Sequence, residues 1–166
     1  MIKRRVAGAV CITALALPVP AAWAGHPPKL KEGLWDVRGQ RLEMPGNKRS
    51  EFTYKLCRDH AYDKAADRQL ENVKGCLTAV KDEGGGKFSS ASTCTVSGTR
   101  IVSNGVTVYL SETVVHSETQ ASFSPPLDGK TEEALVEDQQ YVGKCPAAMR
   151  PGDLLPPDGI VRHHGQ

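Results

Sequence analysis

Residues 76–94 read CLTAVKDEGGGKFSSASTC, and this stretch decides how the rest of the chain is interpreted. Cys76 and Cys94 lie at equal distances from Gly85, the middle one of three consecutive glycines. Strand-forming residues on both sides of the glycines predict two strands joined by a turn. In that register Cys76 lies opposite Cys94, close enough for a disulfide. The stretch therefore predicts a β-hairpin with a covalent bond across it.

The other cysteines extend this framework. Residues 25–166 contain Cys57, Cys76, Cys94 and Cys145, an even number for which three pairings are possible. With Cys76 paired to Cys94, Cys57 pairs with Cys145 by elimination. There is no CxxC motif, and the spacings form no compact pair of zinc ligands. We therefore predict two structural disulfides rather than a redox or metal site.

The N-terminus has the features of a secretion signal. Basic residues at positions 3–5 precede an apolar run of 12 residues at positions 6–17, and Ala22 and Ala24 supply small residues for a cleavage site. A membrane-spanning helix needs roughly 20 apolar residues, so the run is too short for an anchor. We predict a signal peptide over residues 1–24, cleavage after Ala24 and export of the chain.

Cleavage changes the charge of the chain. It removes three basic residues and no acidic residue, which shifts the formal charge from +2 to −1. A chain of nearly neutral charge has no electrostatic footprint for nucleic acid or for an anionic lipid surface. We therefore predict no nucleic-acid partner, and no transmembrane segment after cleavage. Taking 24 residues from 166 leaves 142, which suits a single domain.

The first predicted strand changes the parity of its apolar residues midway. Trp35 and Val37 share one parity, whereas Leu42 and Met44 share the other. A bulge near Gly39 would place all four on one face, so we predict an extra residue there.

A turn at residues 45–47 leads to a second strand at 50–57, which alternates apolar and polar residues. This alternation predicts one buried face and one solvated face. A short helix is predicted over residues 59–71, with Asp59 as its N-cap.

Turn signals divide the second half of the chain. Asn104-Gly105 between β-branched residues predicts a two-residue hairpin. The long stretch that follows predicts a hidden turn near Ser117-Glu118, because it exceeds an ordinary strand. Asp128-Gly129 predicts another turn before a last strand at residues 135–143.

We divide the chain into a signal peptide at 1–24, a polar lead-in at 25–32, a β domain at 33–148 and a proline-rich tail at 149–166. The tail is predicted to have no fixed structure beyond Pro151. The predicted fold is mainly β: a single antiparallel, curved β-meander or open barrel-like sheet with one short α-helix and two disulfides.

Four segments and the cysteine spacing carry a resemblance to a known family. The segments are Gly33-Leu34-Trp35-Asp36-Val37, Met44-Pro45-Gly46, Gly143-Lys144-Cys145-Pro146 and Met149-Arg150-Pro151-Gly152-Asp153. Together they resemble the DUF3617 family, a group of small exported proteins of Gram-negative bacteria, over residues 30–153. The resemblance implies a periplasmic antiparallel β domain and brings no catalytic residues, because the family has no known function.

The chain departs from that family in its methionines. Family members often carry several Met near the Met-Pro-Gly segment, which would suit a soft metal such as copper. Here residues 47–50 contain none, and only Met44 and Met149 follow the signal peptide. The small number of methionines therefore weakens the hypothesis that this chain binds copper.

No catalytic, cofactor-binding or metal site is predicted, and no cofactor. The five histidines are scattered along the chain: His26, His60, His116, His163 and His164. No GxSxG nucleophile motif occurs, and the three glycines at 84–86 lack the Lys-Ser/Thr of a phosphate-binding loop.

We predict a periplasmic, non-enzymatic binding or interaction module, with a small apolar ligand or an envelope protein as its partner. Its binding surface would be an apolar concave face built from Trp35, Val37, Tyr54, Phe88 and Val108, although these residues also suit a simple core. Two alternatives stay open. One is an enzyme whose site is assembled from residues distant in sequence, and the other is a protein inhibitor that presents a disulfide-braced loop.

Overall fold

The computed structural model describes residues 27–71 and 73–163. The predicted signal peptide, its cleavage site at Ala24, His26 and His164 lie outside these residues. The elements in chain order are β1 (Gly33–Met44), β2 (Lys48–Arg58), α1 (His60–Glu71), β3 (Cys76–Gly84), β4 (Lys87–Val96), β5 (Thr99–Ser111), β6 (Val114–Leu127), β7 (Lys130–Gly143) and β8 (Leu154–Leu155).

The eight strands form one antiparallel sheet in the order β3-β4-β5-β6-β7-β1-β2-β8, and the sheet is not closed. Strands β3 to β7 form a meander, and β7 then pairs with β1 inside the sheet. The predicted fold class is confirmed: the chain is mainly β, with one open antiparallel sheet, one short helix and two disulfides.

Both predicted disulfides are present. Cys76 and Cys94 are direct cross-strand partners in β3 and β4, with Cα atoms 4.0 Å apart. Cys57 in β2 bonds to Cys145 just after β7, with Cα atoms 5.5 Å apart and a sequence separation of 88. In the chain-entropy model, closing these loops disfavours the unfolded state by about 3 kcal/mol for the hairpin bond and about 4–5 kcal/mol for the longer loop.

Direct cross-strand partners lie on the same side of a sheet, so the register assigns each strand residue to one of two faces. We call the side that carries Trp35 the Trp35 face and the opposite side the His116 face. The larger side chains of the Trp35 face include Trp35, Val37, Phe52, Tyr54, Leu56, Phe88, Tyr109, Val115, Leu135, Glu137, Gln139 and Tyr141.

The hydrophobic core is small and lies at one end of the sheet. On the Trp35 face, Leu30 of the lead-in packs with Trp35 and Val115. On the His116 face, Leu34, Cys57 and Met149 form a second cluster. A thin core of this kind makes the two disulfides valuable for stability.

The helix begins where the sequence predicts it. The Oδ1 atom of Asp59 accepts a hydrogen bond from the backbone N–H of Tyr62 at 2.7 Å, which is the geometry of an N-cap. Helix α1 connects β2 on one side of the sheet with β3 on the opposite edge. Its Asp63 side chain accepts hydrogen bonds from Arg58 of β2, and its Asp67 side chain borders a groove with Tyr109 of β5. The helix therefore lies against the Trp35 end of the Trp35 face, and it is the one helix among the described residues.

The predicted bulge near Gly39 is wrong. The pairing of β1 with β2 runs without a break through Gly39, and the one shift between β1 and β7 lies between Leu34 and Trp35. Leu42 and Met44 consequently lie on the His116 face. Because both faces carry apolar side chains, the change of parity needs no extra residue.

Two predicted turns are also wrong. Asn104 and Gly105 lie in the middle of β5, and the chain turns earlier, at Ser97 and Gly98, with φ angles of 49° and 82°. Ser117-Glu118 lies within β6, and the connection from β5 is at residues 112–113. Gly105 serves close packing instead of a turn: a Cβ atom there would lie 2.8 Å from the Ser90 hydroxyl. The turns at 45–47 and at Asp128-Gly129 are confirmed.

The prediction that the segment beyond Pro151 has no fixed structure is wrong for residues 151–163. Strand β8 pairs with β2, and the backbone of Cys57 exchanges hydrogen bonds with Gly152 and Asp153 at 2.7 and 3.0 Å. Met149 is buried beside the Cys57–Cys145 bond. The disulfide holds this segment next to β2, whose unpaired backbone groups then find partners in it.

Candidate functional site

Trp35 lies at one end of the Trp35 face and contacts several elements there. It is fully buried, and its indole N–H donates to the backbone carbonyl of Lys31 at 2.9 Å. Tyr141 packs edge-on against it with ring centroids 6.2 Å apart, and the Arg58 guanidinium carbon lies 5.0 Å from the indole centroid. The lead-in, β1, β2 and β7 are thus joined at one point, which fixes the end of the face.

Helix α1 passes this same end. A groove of about 370 Å³ lies between the lead-in, the helix and β5, and its walls include Leu30, Asp63, Asp67 and Tyr109. Beyond this end the face is only partly covered. Leu135 and Glu137 on β7 and Phe52 and Tyr54 on β2 are all half-buried.

A chain of polar side chains runs along the face from the helix into its middle. The two Arg58 nitrogens Nε and Nη2 donate to Asp63 at 2.9 and 2.8 Å, and Nη1 donates to the side-chain oxygen of Gln139 at 2.9 Å. The Gln139 amide in turn donates to Oε1 of Glu137 at 2.6 Å. The Tyr54 hydroxyl also hydrogen-bonds to Glu137. Five side chains from three elements are connected in this way.

The surroundings of this network change its acid–base properties. Burial is the main cause that raises the pKa of Tyr54 to about 12, and the nearby Glu137 charge adds to it. Burial also raises the pKa of the Glu137 carboxyl, while the hydrogen bond from Gln139, the charge of Arg58 and the Tyr54 hydroxyl act in the opposite direction. A half-buried carboxyl with a raised pKa is a common feature of functional sites.

The structure brings together four of the five residues predicted for the binding face. Trp35, Val37, Tyr54 and Phe88 share the Trp35 face, whereas Val108 pairs with His116 and lies on the opposite side. The sequence reasoning missed the polar residues of the face, which are Arg58, Glu137 and Gln139. The signal that finds them is the shared parity of Glu137, Gln139 and Tyr141 in β7, once β7 is paired with β1.

The described histidines make separate local contacts. His60 Nε2 lies 3.0 Å from the Leu30 carbonyl, and His163 lies 2.9 Å from the buried Asp153 carboxylate. His116 is placed between Asp138 at 2.7 Å and Glu118 at 3.2 Å on the His116 face. No group of three or more His, Cys, Asp or Glu side chains within residues 27–71 and 73–163 is arranged to hold a metal ion.

The His116 face also carries grooves. A groove of about 680 Å³ crosses β7, β1 and β2 between Gln40, Thr53 and Val136, and another of about 460 Å³ crosses β3 to β6. Their walls combine small, apolar and charged side chains; Phe52 and Asp138 line the larger groove, and Glu118 lines the other.

Comparison with known proteins gives no assignment. No family model matches the chain, and no curated protein sequence is similar to it. No helix within the described residues is long and apolar enough to cross a membrane. Two disulfides are consistent with an exported protein, because such bonds persist in oxidising compartments.

Proposed function

We propose that this chain is an exported, non-enzymatic binding protein that takes a small, largely apolar ligand on the Trp35 face. One observation carries the proposal. An eight-stranded sheet presents a face of aromatic and aliphatic side chains, and the one helix among the described elements contacts that face at its Trp35 end, away from Leu135. Sheets in stable domains normally bury such a face against another layer. A ligand would supply the missing apolar cover.

Burial along β7 indicates which face takes the ligand. Leu135, Glu137 and Gln139 of the Trp35 face are all half-buried, whereas Val136 and Asp138 of the other face are exposed. The Trp35 face also holds the stacked rings of Phe52 and Tyr54. It thus combines an apolar lining with a few polar groups, the usual character of a small-molecule site.

The periplasm and the DUF3617 family remain part of the proposal. The segments behind the resemblance occupy positions that shape the fold: Gly33 has a φ angle of 138°, Cys145 forms the long disulfide, and Met149 and Asp153 are buried. These roles support a shared fold. They do not identify a ligand, because none of these four residues lies in the polar network of the Trp35 face.

A neutral apolar dye, N-phenyl-1-naphthylamine, tests the proposal. We expect the mature protein to raise the dye's fluorescence in a saturable way, with energy transfer from Trp35, the only tryptophan that follows the signal peptide. Leu135 and Val136 are neighbours on opposite faces of β7, so Leu135→Ser and Val136→Ser form a matched pair.

The expected result is about tenfold weaker dye binding by Leu135→Ser, since the variant loses one apolar contact. Val136→Ser should bind the dye as the unchanged protein does. Weakening by Val136→Ser alone would move the site to the His116 face, and the absence of saturable binding to the unchanged protein would refute the proposed function.

A further inference from the structure

We propose that the ligand of the Trp35 face carries an organic ammonium group on an apolar chain, and that the ammonium group binds the Glu137 carboxylate beside the rings of Phe52 and Tyr54. This inference rests on the proposed function and adds the chemical class of the ligand. It depends on the partners of Glu137, on the space around it and on the rings that border it.

Within the described residues, the side chains that hydrogen-bond to Glu137 are neutral. Its carboxylate accepts hydrogen bonds from the Gln139 amide and the Tyr54 hydroxyl. The ion pairs between the described residues do not include it. Arg58 is the nearest basic group of the network, and its guanidinium is engaged by Asp63 and Gln139. A half-buried carboxylate that lacks a cationic partner is costly to the fold unless a ligand supplies the cation.

The position beside Glu137 in β6 carries a small side chain. Its cross-strand partner there is Ser117, whereas its partner in β1 is Gly39, over which the Phe52 ring lies. Leu135 precedes Glu137 by two positions on the same face and offers apolar surface to the chain of the ligand. The carboxylate thus lies at the border between small polar and apolar surface.

Two aromatic rings border the carboxylate on the β2 side. Phe52 and Tyr54 are stacked, with centroids 6.1 Å apart and an angle of 15° between the ring planes. The Phe52 ring reaches across Gly39, toward the strand that carries Glu137. A cation bound at Glu137 would therefore also meet the negative electrostatic potential of aromatic faces, which favours organic ammonium groups.

Two hydrogen-bond donors, the Gln139 amide and the Tyr54 hydroxyl, position the Glu137 carboxylate. Gln139 and Tyr54 hold it from two directions, so its remaining lone pairs are available for the N–H donors of an ammonium group. An anionic ligand would have to approach the same carboxylate and would be repelled. The site therefore favours a cation over an anion with the same apolar chain.

Three probes with the same alkyl chain test this: decylammonium, decanol and decyl sulfate, titrated against the mature protein at mildly alkaline pH while Trp35 fluorescence is recorded. We expect decylammonium to bind about tenfold more tightly than decanol, the effect of one charge-assisted hydrogen bond. Decyl sulfate should bind most weakly. Glu137→Gln should remove the preference for decylammonium over decanol.

The outcomes separate this inference from the proposed function. Equal binding of all three probes would keep the binding function and overturn the ammonium assignment, whereas binding of none would overturn the proposed function itself. Glu118→Gln on the His116 face is the matched control and should keep the preference. Tyr54→Phe provides a second variant, which keeps the ring and removes one donor to the carboxylate; it should reduce the preference only in part. A preference that survives in Glu137→Gln would refute the inference.

Discussion

The ring of Phe52 in β2 lies over Gly39 in β1, in the space that a Cβ atom on residue 39 would occupy. The two residues are direct cross-strand partners on the Trp35 face, and the Val136 carbonyl closes the other side of that space at 2.7 Å. A glycine is therefore needed at position 39, because any side chain there would collide with the Phe52 ring. It lets the Phe52 ring extend toward β7 and stack beside Tyr54.

Gly39→Ala should destabilise the protein by about 1–3 kcal/mol, because the methyl group forces the ring or the β7 backbone to move. Urea unfolding of the oxidised protein measures this. In a Phe52→Ala background the same substitution should cost less, since the ring no longer occupies the space. An unchanged urea midpoint for Gly39→Ala would show that the ring does not lie over the glycine.

Glu137→Gln should make the protein more stable at neutral pH. The folded-state pKa of Glu137 is raised, mainly by burial. Its contribution to stability is therefore greatest below the ordinary pKa and is lost as pH rises through the folded-state pKa. Gln139→Leu should not reproduce the gain, because it removes a donor to the carboxylate. Equal stability of Glu137→Gln and the unchanged protein at neutral pH would contradict the assignment of a costly carboxylate.

Tyr54 should ionise at about 12 in the folded protein, well above its ordinary pKa of 10.0. The ionisation of Tyr54 is isolated by subtracting the spectrophotometric titration curve of Tyr54→Phe from that of the unchanged protein. Glu137→Gln should lower the pKa of Tyr54, because the variant removes a nearby negative charge and replaces the carboxylate that accepts from the hydroxyl with a neutral amide. Burial should still keep the pKa of Tyr54 above its ordinary value of 10.0. Ionisation of Tyr54 at its ordinary pKa would mean that the hydroxyl is solvated.

His116 should remain protonated above its ordinary pKa of 6.5. Its hydrogen bond with Asp138 is the largest cause that raises its pKa, and Glu118 adds to it. The stabilising effect is complete below the ordinary pKa and is lost as pH rises through the raised value. NMR titration of the ring protons checks the pKa, and Asp138→Asn should lower it. A pKa of His116 that does not respond to Asp138→Asn would remove Asp138 as the cause.

Local sequence patterns predict the elements that depend on nearby residues. The glycine-centred cysteine pair, the cap at Asp59 and the alternation of β2 all describe contacts within a few residues of one another or across a single turn. The prediction of a turn at Asn104-Gly105 is wrong because the same dipeptide also suits a position where neighbouring strands approach closely. Gly105 occupies such a position, between Ser90 and Thr119. Nothing local distinguishes the two uses.

The site depends on register across the whole sheet. Arg58 and Gln139 meet although they are 81 residues apart, because β1 lies between β2 and β7. A shift of one residue in any of these pairings would move a side chain to the opposite face. The placement of Val108 shows this sensitivity, since its face follows from the register of β5 with β4 and β6.

Native mass spectrometry of the protein purified from its native source tests the central claim most directly. We predict a chain of residues 25–166 with two disulfides and an additional bound molecule that is small, apolar and carries an amine. Complexes with decanol, formed on the same protein, show whether apolar ligands survive the measurement. If these complexes are detected while the purified protein carries no small molecule, the Trp35 face is not a ligand-binding surface.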